Sequence, residues 1–147
     1  MSLTDTPARR FYSQAIADLD TARDEVRPRR YYAAVFFAEQ AEEEGLKAAH
    51  WHLLAEEPPW THQMDRVAAS VAEKSGGMHP GILLAISELM SGLERSRYPS
   101  GNVDEPIPVE LVDETNAKAA VGHAEAVMAW VDSLRQQPMG KPKRRRS

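Results

Sequence analysis

Apolar and small residues recur at helical spacing along most of the chain, and the longest such run lies between Arg29 and His52. At 100° per residue, one broad arc of this segment is apolar or small, which is typical of a helix buried in a bundle. The arc consists of Tyr31, Ala34, Val35, Phe37, Ala38, Ala41, Gly45, Leu46, Ala48 and Ala49. The pattern predicts a central helix that ends near Leu54, with small residues that let a neighbouring helix approach closely.

The opposite face of this helix combines aromatic with polar and charged side chains: Tyr32, Phe36, Glu39, Gln40, Glu43 and Lys47. A face that meets only water has no need of aromatic rings, so we expect another surface to cover it. The sequence therefore predicts a homodimer in which Tyr32, Phe36 and Glu39 contact a second copy of the chain.

Further helices are predicted by the same spacing and by the proline, glycine and capping residues at their ends. A first helix is expected from Pro7 to about Val26, capped by Asp5 or Thr6. A short third helix is expected to be capped by Thr61 and ended by Gly76-Gly77. A fourth helix is expected from Pro80 to residues 94–99, and a last one from about Val109 to Arg135. The fourth is expected to face inward with Ile82, Leu83, Ile86, Leu89, Met90 and Leu93. No stretch alternates as a strand does, so we expect an all-α, up-and-down bundle of four principal helices with a short additional helix.

Charge is distributed unevenly along the 147 residues, although the formal net charge is only −4. Five of the 18 basic residues fall in the last seven positions: Lys141, Lys143, Arg144, Arg145 and Arg146. We expect one helical domain over residues 1–136, followed by a disordered basic tail over residues 137–147. Binding to phosphates and a role in solubility alone both remain open for this tail.

Several classes of protein are excluded or disfavoured by composition. The chain has no cysteine, so disulfides and thiolate metal sites are excluded. No apolar run approaches a membrane span and no signal peptide is evident, so we expect a cytoplasmic protein without membrane contact. No glutamate stands three residues before any of the five histidines, as di-iron carboxylate bundles require, and we expect neither metal nor cofactor.

The segment from Arg95 to Asn102 is the strongest candidate for a binding site. It delivers two guanidinium groups, the Tyr98 phenol and an amide into a loop shaped by proline and glycine. This combination suits an anion such as a phosphodiester. The alternative is that Arg95 and Arg97 only stabilise the carboxyl end of the fourth helix, where cations are favoured by the helix dipole.

Four features of the chain together resemble the HEPN family. They are QAEEEGLKA at residues 40–48, His62 opening the third helix, Arg97-Tyr98-Pro99 after the fourth, and a long alanine-rich last helix. The resemblance covers about residues 8–135. It implies a helical bundle that commonly homodimerises and is often encoded beside a minimal nucleotidyltransferase in toxin–antitoxin pairs. Many members of the family are metal-independent ribonucleases. Their site combines an arginine and a histidine that are separated by four to six residues, and both protomers contribute to one cleft.

This chain departs from that pattern at the histidine. Four residues separate Arg97 from Asn102, and six separate Arg95 from it, so neither spacing ends in His. An amide can orient a phosphate or a ribose hydroxyl, but it takes no proton near neutral pH, and general acid–base catalysis is typically worth about 10²–10⁴-fold. A tyrosine two residues beyond the histidine, which some partner nucleotidyltransferases modify, is replaced by Asp104.

The site predicted from the sequence therefore consists of Arg97 and Asn102 as catalytic candidates, with Arg95, Tyr98 and Glu43 as further ligand-binding residues. Glu43 is expected to orient the Arg97 guanidinium from the central helix. We expect a dimeric HEPN module that binds RNA or a nucleotide and works with a minimal nucleotidyltransferase in a toxin–antitoxin or defence pair. Two alternatives stay open: an active metal-independent ribonuclease toxin with another histidine as base, and a purely structural helical interaction subunit.

Overall fold

The computed structural model describes residues 5–97 and 99–143, and the side chains of residues 92–97 lie outside this description. The described part contains six helices and no strand. These are α1 (Pro7–Val26), α2 (Tyr31–Leu54), α3 (Met64–Ser75), α4 (Pro80–Arg97), α5 (Pro108–Leu111) and α6 (Glu114–Leu134). The prediction of an all-α fold is thus confirmed.

The four long helices alternate in direction. α1 and α2 form an antiparallel hairpin across residues 27–30. α6 runs parallel to α2, because Lys118 near its start interacts with Tyr31, while Gln137 just after its end meets His52 through a carbonyl oxygen 2.8 Å from the Nε2 atom. α4 runs the opposite way, since Ser91 in its second half lies near Val35 in the first half of α2. This is the predicted up-and-down arrangement, with α3 and α5 as short additions.

α2 is the central helix, and its predicted buried arc is confirmed. Eight of the ten arc positions are buried, and Tyr31 and Phe37 pack against the core while partly exposed. A Cβ atom placed on Gly45 would lie 2.3 Å from the Sδ atom of Met128 in α6. The missing side chain therefore permits the close contact between α2 and α6.

The first helix begins as predicted, whereas the third does not. The Thr6 hydroxyl accepts a hydrogen bond from the backbone amide of Arg9 at 3.1 Å, and proline follows at the first helical position. Thr61 instead accepts from the amide of Gln63 at 3.0 Å and closes a turn, so α3 begins only at Met64. The hydroxyl thus caps a turn that precedes the helix.

The predicted last helix over residues 109–135 is divided in the structure. α5 ends after one turn, Val112 is extended, and Asp113 begins α6 as its N-cap. The Asp113 carboxylate accepts from the amide of Asn116 at 2.8 Å, and the Asn116 side chain accepts from the amide of Asp113 at 3.1 Å. This reciprocal capping box satisfies both backbone donors and so favours a new helix start over a continuous helix.

The inward face of α4 is narrower than predicted. Of the positions expected to face the core, four do so: Ile82, Ile86, Leu89 and Met90. Leu83 is 45% exposed, which corrects its assignment to the core. The reason is that α4 meets its partner helices along one side only. Leu93 belongs to the stretch whose side chains are not described.

Residues 137–143 contact the end of α2, and the domain boundary at residue 136 with a disordered tail beyond it stays a prediction. The amide of Gly140 donates to the carbonyl of His52 at 2.8 Å, and the ammonium of Lys143 lies 3.5 Å from the carboxylate of Glu56. A Cβ atom on Gly140 would stand 2.1 Å from the carbonyl oxygen of Leu53. The last carbonyls of a helix lack partners within it, so a chain without apolar periodicity can still bind there. Residues 144–147 lie outside the described residues.

The beginning and the end of the helical domain are joined through Tyr12. Its hydroxyl donates to the carboxylate of Asp132, and the guanidinium of Arg135 lies 3.6 Å from the centre of its ring. α1 is therefore fastened to the end of α6 as well as to α2.

A pair of carboxyl groups lies in the seam between α1 and α2. Asp18 is buried and accepts a hydrogen bond from the Gln14 amide at 3.1 Å. Burial, and then a hydrogen bond to Asp18, raise the pKa of Glu44 to about 8, while nearby Lys47 acts in the opposite direction. Glu44 is accordingly protonated at neutral pH and acts as the donor in this pair.

The close contact at Gly45 predicts a position-dependent effect of valine. Gly45→Val forces side-chain atoms against Met128 and should lower the free energy of unfolding by about 1–3 kcal/mol, as overpacking does. Gly122→Val, in α6, is the matched control, because a Cβ there meets nothing within 4 Å. It should change stability by no more than about 0.5 kcal/mol. Urea denaturation of both variants checks this, and equal effects would contradict the close packing.

The shared proton of Asp18 and Glu44 predicts a pH-dependent stability. A raised carboxyl pKa means that the folded state keeps a proton that the unfolded chain releases, so this contribution is full below about pH 4.5 and is lost as the pH rises towards 8. Glu44→Gln, which can still donate, should therefore gain stability over the wild type at pH 8 relative to pH 5. Thermal unfolding at both values tests it, with exposed Glu73→Gln as control. An identical pH dependence in wild type and Glu44→Gln would refute the shared proton.

Candidate functional site

The carboxyl end of α4 and the loop after it carry most of the residues predicted for the site. α4 extends to Arg97, and residues 99–107 then lead to α5 without regular structure. The side chains of Arg95 and Arg97, and Tyr98 as a whole, lie outside the described residues. Their roles as ligand-binding residues therefore stay predictions.

Asn102 organises the loop that follows α4. Its side-chain oxygen accepts a hydrogen bond from the amide of Asp104 at 3.0 Å, and its backbone carbonyl accepts from Glu105 at 3.1 Å. The backbone N–H of Asn102 donates to the Ser100 hydroxyl at 3.2 Å. The Oδ1 atom of the exposed Asn102 side chain is therefore used within the loop. The Nδ2 group of the same side chain is the donor that can bind a ligand such as a phosphate.

Glu43 is buried in α2, and its described partner is a histidine. The Nδ1 atom of His62 lies 3.0 Å from the Glu43 carboxylate, and the His62 side chain itself is exposed. His62 lies two residues before α3, so this pair ties the preceding loop to α2. The predicted contact between Glu43 and Arg97 involves a side chain that is not described and stays a prediction.

A half-open cleft of about 170 Å³ lies between α2, α4, α5 and α6. Apolar side chains form much of its wall, and five polar side chains reach it: Glu39, Glu88, Ser91, Asn116 and His123. A pocket with apolar walls and a few convergent polar groups is the usual form of a small-ligand site. The cleft borders the second half of α4 and therefore adjoins the segment that leads to Arg97.

The α2 side of this region contains an unusual number of buried carboxyl groups. Glu39 and Glu42 are each 2% exposed, and Glu43 is 7% exposed. Burial, and then repulsion from Glu43 and Glu39, raise the pKa of Glu42 well above its usual value. One Glu42 oxygen has no hydrogen-bond partner among the described residues. Burying carboxyl groups is costly, and such clusters occur preferentially at functional sites.

The three residues predicted for the dimer contact differ in their exposure to solvent. Tyr32 is 41% exposed, and Phe36 is half-buried with its ring edge against Phe37. Glu39, which was expected beside them at the dimer contact, instead lines the cleft within the single chain. The reason is that α4, α5 and α6 cover this part of α2.

Sequence reasoning missed His123 and the other cleft residues outside α2. The sequence places no glutamate one turn before His123 and offers no other signal there, whereas the structure places His123 half-buried on α6 beside the cleft. Asn116 carries a recognisable signal as part of a capping box, but this signal concerns the helix and not a site. Only the packing of α6 beside α2 brings His123 to the same cleft as Glu39.

Two negative findings apply to the described ranges, 5–97 and 99–143. Within them, no group of three or more histidine or acidic side chains is arranged to hold a metal ion. None of their helices has the length and apolar character needed to cross a membrane.

The fold and the cleft define an all-helical bundle domain with a polar site between its helices. A family model described as HEPN domain matches residues 8–134. The chain therefore belongs to the HEPN domain family, and the resemblance seen in the sequence is confirmed. A search of curated proteins gives no match to the chain.

Solved structures share this fold. A crystal structure of TT1696 from Thermus thermophilus is 25% identical with a TM-score of 0.76, covering 86% of this chain and 97% of that one. ST0689, an archaeal HEPN homologue, is 21% identical with a TM-score of 0.68 and coverages of 90% and 100%. A HEPN domain protein, tm0613 from Thermotoga maritima, is 19% identical with a TM-score of 0.66 and coverages of 85% and 96%.

Proposed function

We propose that this protein is a HEPN module that binds RNA or a nucleotide, acting with a minimal nucleotidyltransferase partner in a toxin–antitoxin or defence system. The observation that carries the binding proposal is the cleft beside the second half of α4, with the buried Glu39 in its wall. Family membership supports the ligand class. The partner follows from the family resemblance alone.

The side chains of the cleft support binding of different parts of one ligand at two neighbouring regions, the cleft and the turn after α4. Its carboxylates, hydroxyl and amide suit the polar edge of a base or a ribose hydroxyl, whereas carboxylates repel phosphate. Phosphate therefore belongs with Arg95, Arg97 and Asn102. Arg97 lies six residues beyond Ser91 on α4, which is about 9 Å along the helix axis. One ligand can thus extend from the cleft to the arginine-bearing turn.

The second candidate is a metal-independent ribonuclease, and His123 is the observation that favours it. Asn102 cannot take a proton, but an imidazole at the cleft can act as general acid or base near neutral pH. The carboxylate of Glu39 lines the same cleft. In this reading His123 supplies the proton transfer that the loop lacks.

Replacing the phosphate-binding arginine tests the binding proposal. A charge-assisted hydrogen bond is worth about 1.5–3 kcal/mol, so Arg97→Ala should weaken RNA or nucleotide binding at least about tenfold. Arg66→Ala, an exposed arginine on α3, is the control and should bind as the wild type does. Calorimetry or fluorescence anisotropy measures both. Wild-type affinity in Arg97→Ala would return Arg97 to the role of a helix-end cation.

A gel assay of RNA cleavage with purified protein separates binding from cleavage. Asn102→His restores the imidazole of the family motif and should create or raise RNA cleavage in the presence of EDTA, as seen on a gel. Cleavage by the unmodified protein that His123→Ala abolishes would favour the second candidate. Strong cleavage unaffected by either His123→Ala or Arg97→Ala would locate the chemistry elsewhere in the protein.

We further propose a homodimer that uses the start of α2. Tyr32 is 41% exposed there, and α5, at the same end of the bundle, exposes 59% of Val109 and 40% of Leu111. Clustered apolar exposure of this kind is typical of a contact surface.

Phe36→Glu places a charge in the proposed contact and should give a monomer by light scattering at micromolar concentration. Ile16→Glu, at a partly exposed apolar position on α1, should remain dimeric and serves as the control. A monomeric wild type at that concentration would contradict the dimer.

A further inference from the structure

Trp60 is 92% exposed, although the loop that carries it is held by several contacts. Two prolines precede Trp60 and restrict the backbone, and the first of them, Pro58, is buried. The Trp60 Nε1 atom donates to the Glu57 carboxylate at 3.2 Å, and the carbonyl of Glu56 lies 2.9 Å from the Nδ1 atom of His50 in α2. The loop therefore fixes a large aromatic ring that the fold itself does not bury.

A pocket of about 160 Å³ opens between this ring, α1 and α2. Its lining consists of three aromatic rings, two prolines and two charged side chains: Phe11, Trp51, Trp60, Pro58, Pro59, Lys47 and Glu57. Lys47 and Trp51 are one helical turn apart on α2 and so share one wall of the pocket. A cavity of roughly 150 Å³ accepts a benzene ring, so the pocket has room for a ligand of about that size.

The two charged side chains of the pocket have opposite signs, which narrows the class of ligand. A purely cationic ligand would be opposed by the Lys47 ammonium, and a purely anionic one, such as a phosphate, by the Glu57 carboxylate. The Glu57 carboxylate offers about four acceptor positions, and the Trp60 Nε1 group uses one of them. Lys47 also lies near Glu44, but burial raises the pKa of Glu44 to about 8, so this neighbour is mainly protonated at neutral pH. Each charge of the pocket can therefore meet an opposite charge on a ligand.

The aromatic rings determine the form of the cationic group. Tryptophan faces attract cations electrostatically, and a cage of such rings is a usual site for an ammonium group that carries methyl substituents. The methyl groups also remove apolar area of the rings from water. A neutral aromatic ligand would fill the same volume, but it would displace water from Lys47 and Glu57 without replacing its hydrogen bonds. The lining therefore favours a ligand with both charges over a neutral one.

We infer that this pocket binds a small zwitterion of the betaine type, in which a methylated ammonium group is joined to a carboxylate by a short link. The ammonium group lies between the tryptophan rings beside Glu57, and the carboxylate pairs with Lys47. This inference goes beyond the proposed function, because the pocket is remote from the cleft. Trp51 lies twelve residues after Glu39 on α2, which is about 18 Å along the helix axis.

Isothermal titration calorimetry of the full chain with glycine betaine and two analogues tests the inference. Tert-butylacetate has the shape and the carboxylate of glycine betaine but carbon in place of the charged nitrogen. Choline keeps the cation but has a hydroxymethyl group in place of the carboxylate. Each analogue should bind at least about fivefold more weakly than glycine betaine, because it meets only one of the two charges. Equal binding of the three compounds, or no binding of glycine betaine, would overturn the inference.

Charge-removing substitutions in the pocket provide a second test, since each should reduce one preference. Glu57→Gln should lower the preference for glycine betaine over tert-butylacetate by about threefold, and Lys47→Gln should lower the preference over choline to the same extent. Each preference is a ratio measured on one preparation, so partial unfolding of a variant does not alter it. Glu73→Gln and Lys74→Gln, at exposed positions of α3, are the matched controls and should keep both preferences. Wild-type preferences in Glu57→Gln and Lys47→Gln would contradict the assignment of the two charges.

Trp60→Ala removes one wall of the aromatic cage and should weaken glycine betaine binding about tenfold, while RNA or nucleotide binding stays as in the wild type. Because Trp60 is exposed, its replacement should leave the fold intact, which circular dichroism verifies. Wild-type affinity of Trp60→Ala for glycine betaine would overturn the inference. If light scattering then showed altered self-association, the ring would be assigned to a protein contact instead. A wild type that binds glycine betaine but neither polyuridine nor uridine monophosphate would support this inference and refute the proposed function alone.

Discussion

The burial of α2 on nearly every side is the constraint on which the rest of the structure depends. A helix in this position must let its neighbours approach closely, and Gly45 permits this at Met128. It must also accommodate the carboxyl groups of Glu39, Glu42 and Glu43, whose burial is unfavourable unless each is protonated or paired. At Glu42 the raised pKa favours the protonated carboxyl group, and at Glu43 the carboxylate pairs with His62. A helix selected for stability alone has no reason to keep three such groups.

Most of the fold was predictable because the signals that define it are local. Helical periodicity identified the buried arc of α2, and Thr6 with the following proline identified the start of α1. The division of the last helix also had a local signal, since Asp113 and Asn116 have the spacing of a capping box. The apolar period alone, which continues on both sides of this cap, predicts one continuous helix. The position of residues 137–143 had no such signal, because backbone hydrogen bonds to α2 depend on no side-chain pattern.

The candidate site was less predictable because its residues meet only through packing. The sequence drew attention to Arg97 and Asn102, which are close along the chain, but Glu39 and His123 come from different helices and share a cleft only in the folded bundle. Periodicity likewise assigned Glu39 to an outer face, since it reports which residues share a side of a helix and not what covers that side. The exposure of Trp60 also follows from the course of its loop, which no helical pattern describes.

The fastening of Tyr12 to Asp132 and Arg135 has a consequence for anything joined to this domain. It brings the first turns of α1 and the last turn of α6 to one end of the bundle. A tether attached at Asp5 or Lys143, the first and last residues that the structure describes, would consequently leave the bundle at that end, near the loop of Trp60. The cleft and the loop of Asn102 lie towards the other end, so a tether attached at Asp5 or Lys143 would leave the approach to both sterically open.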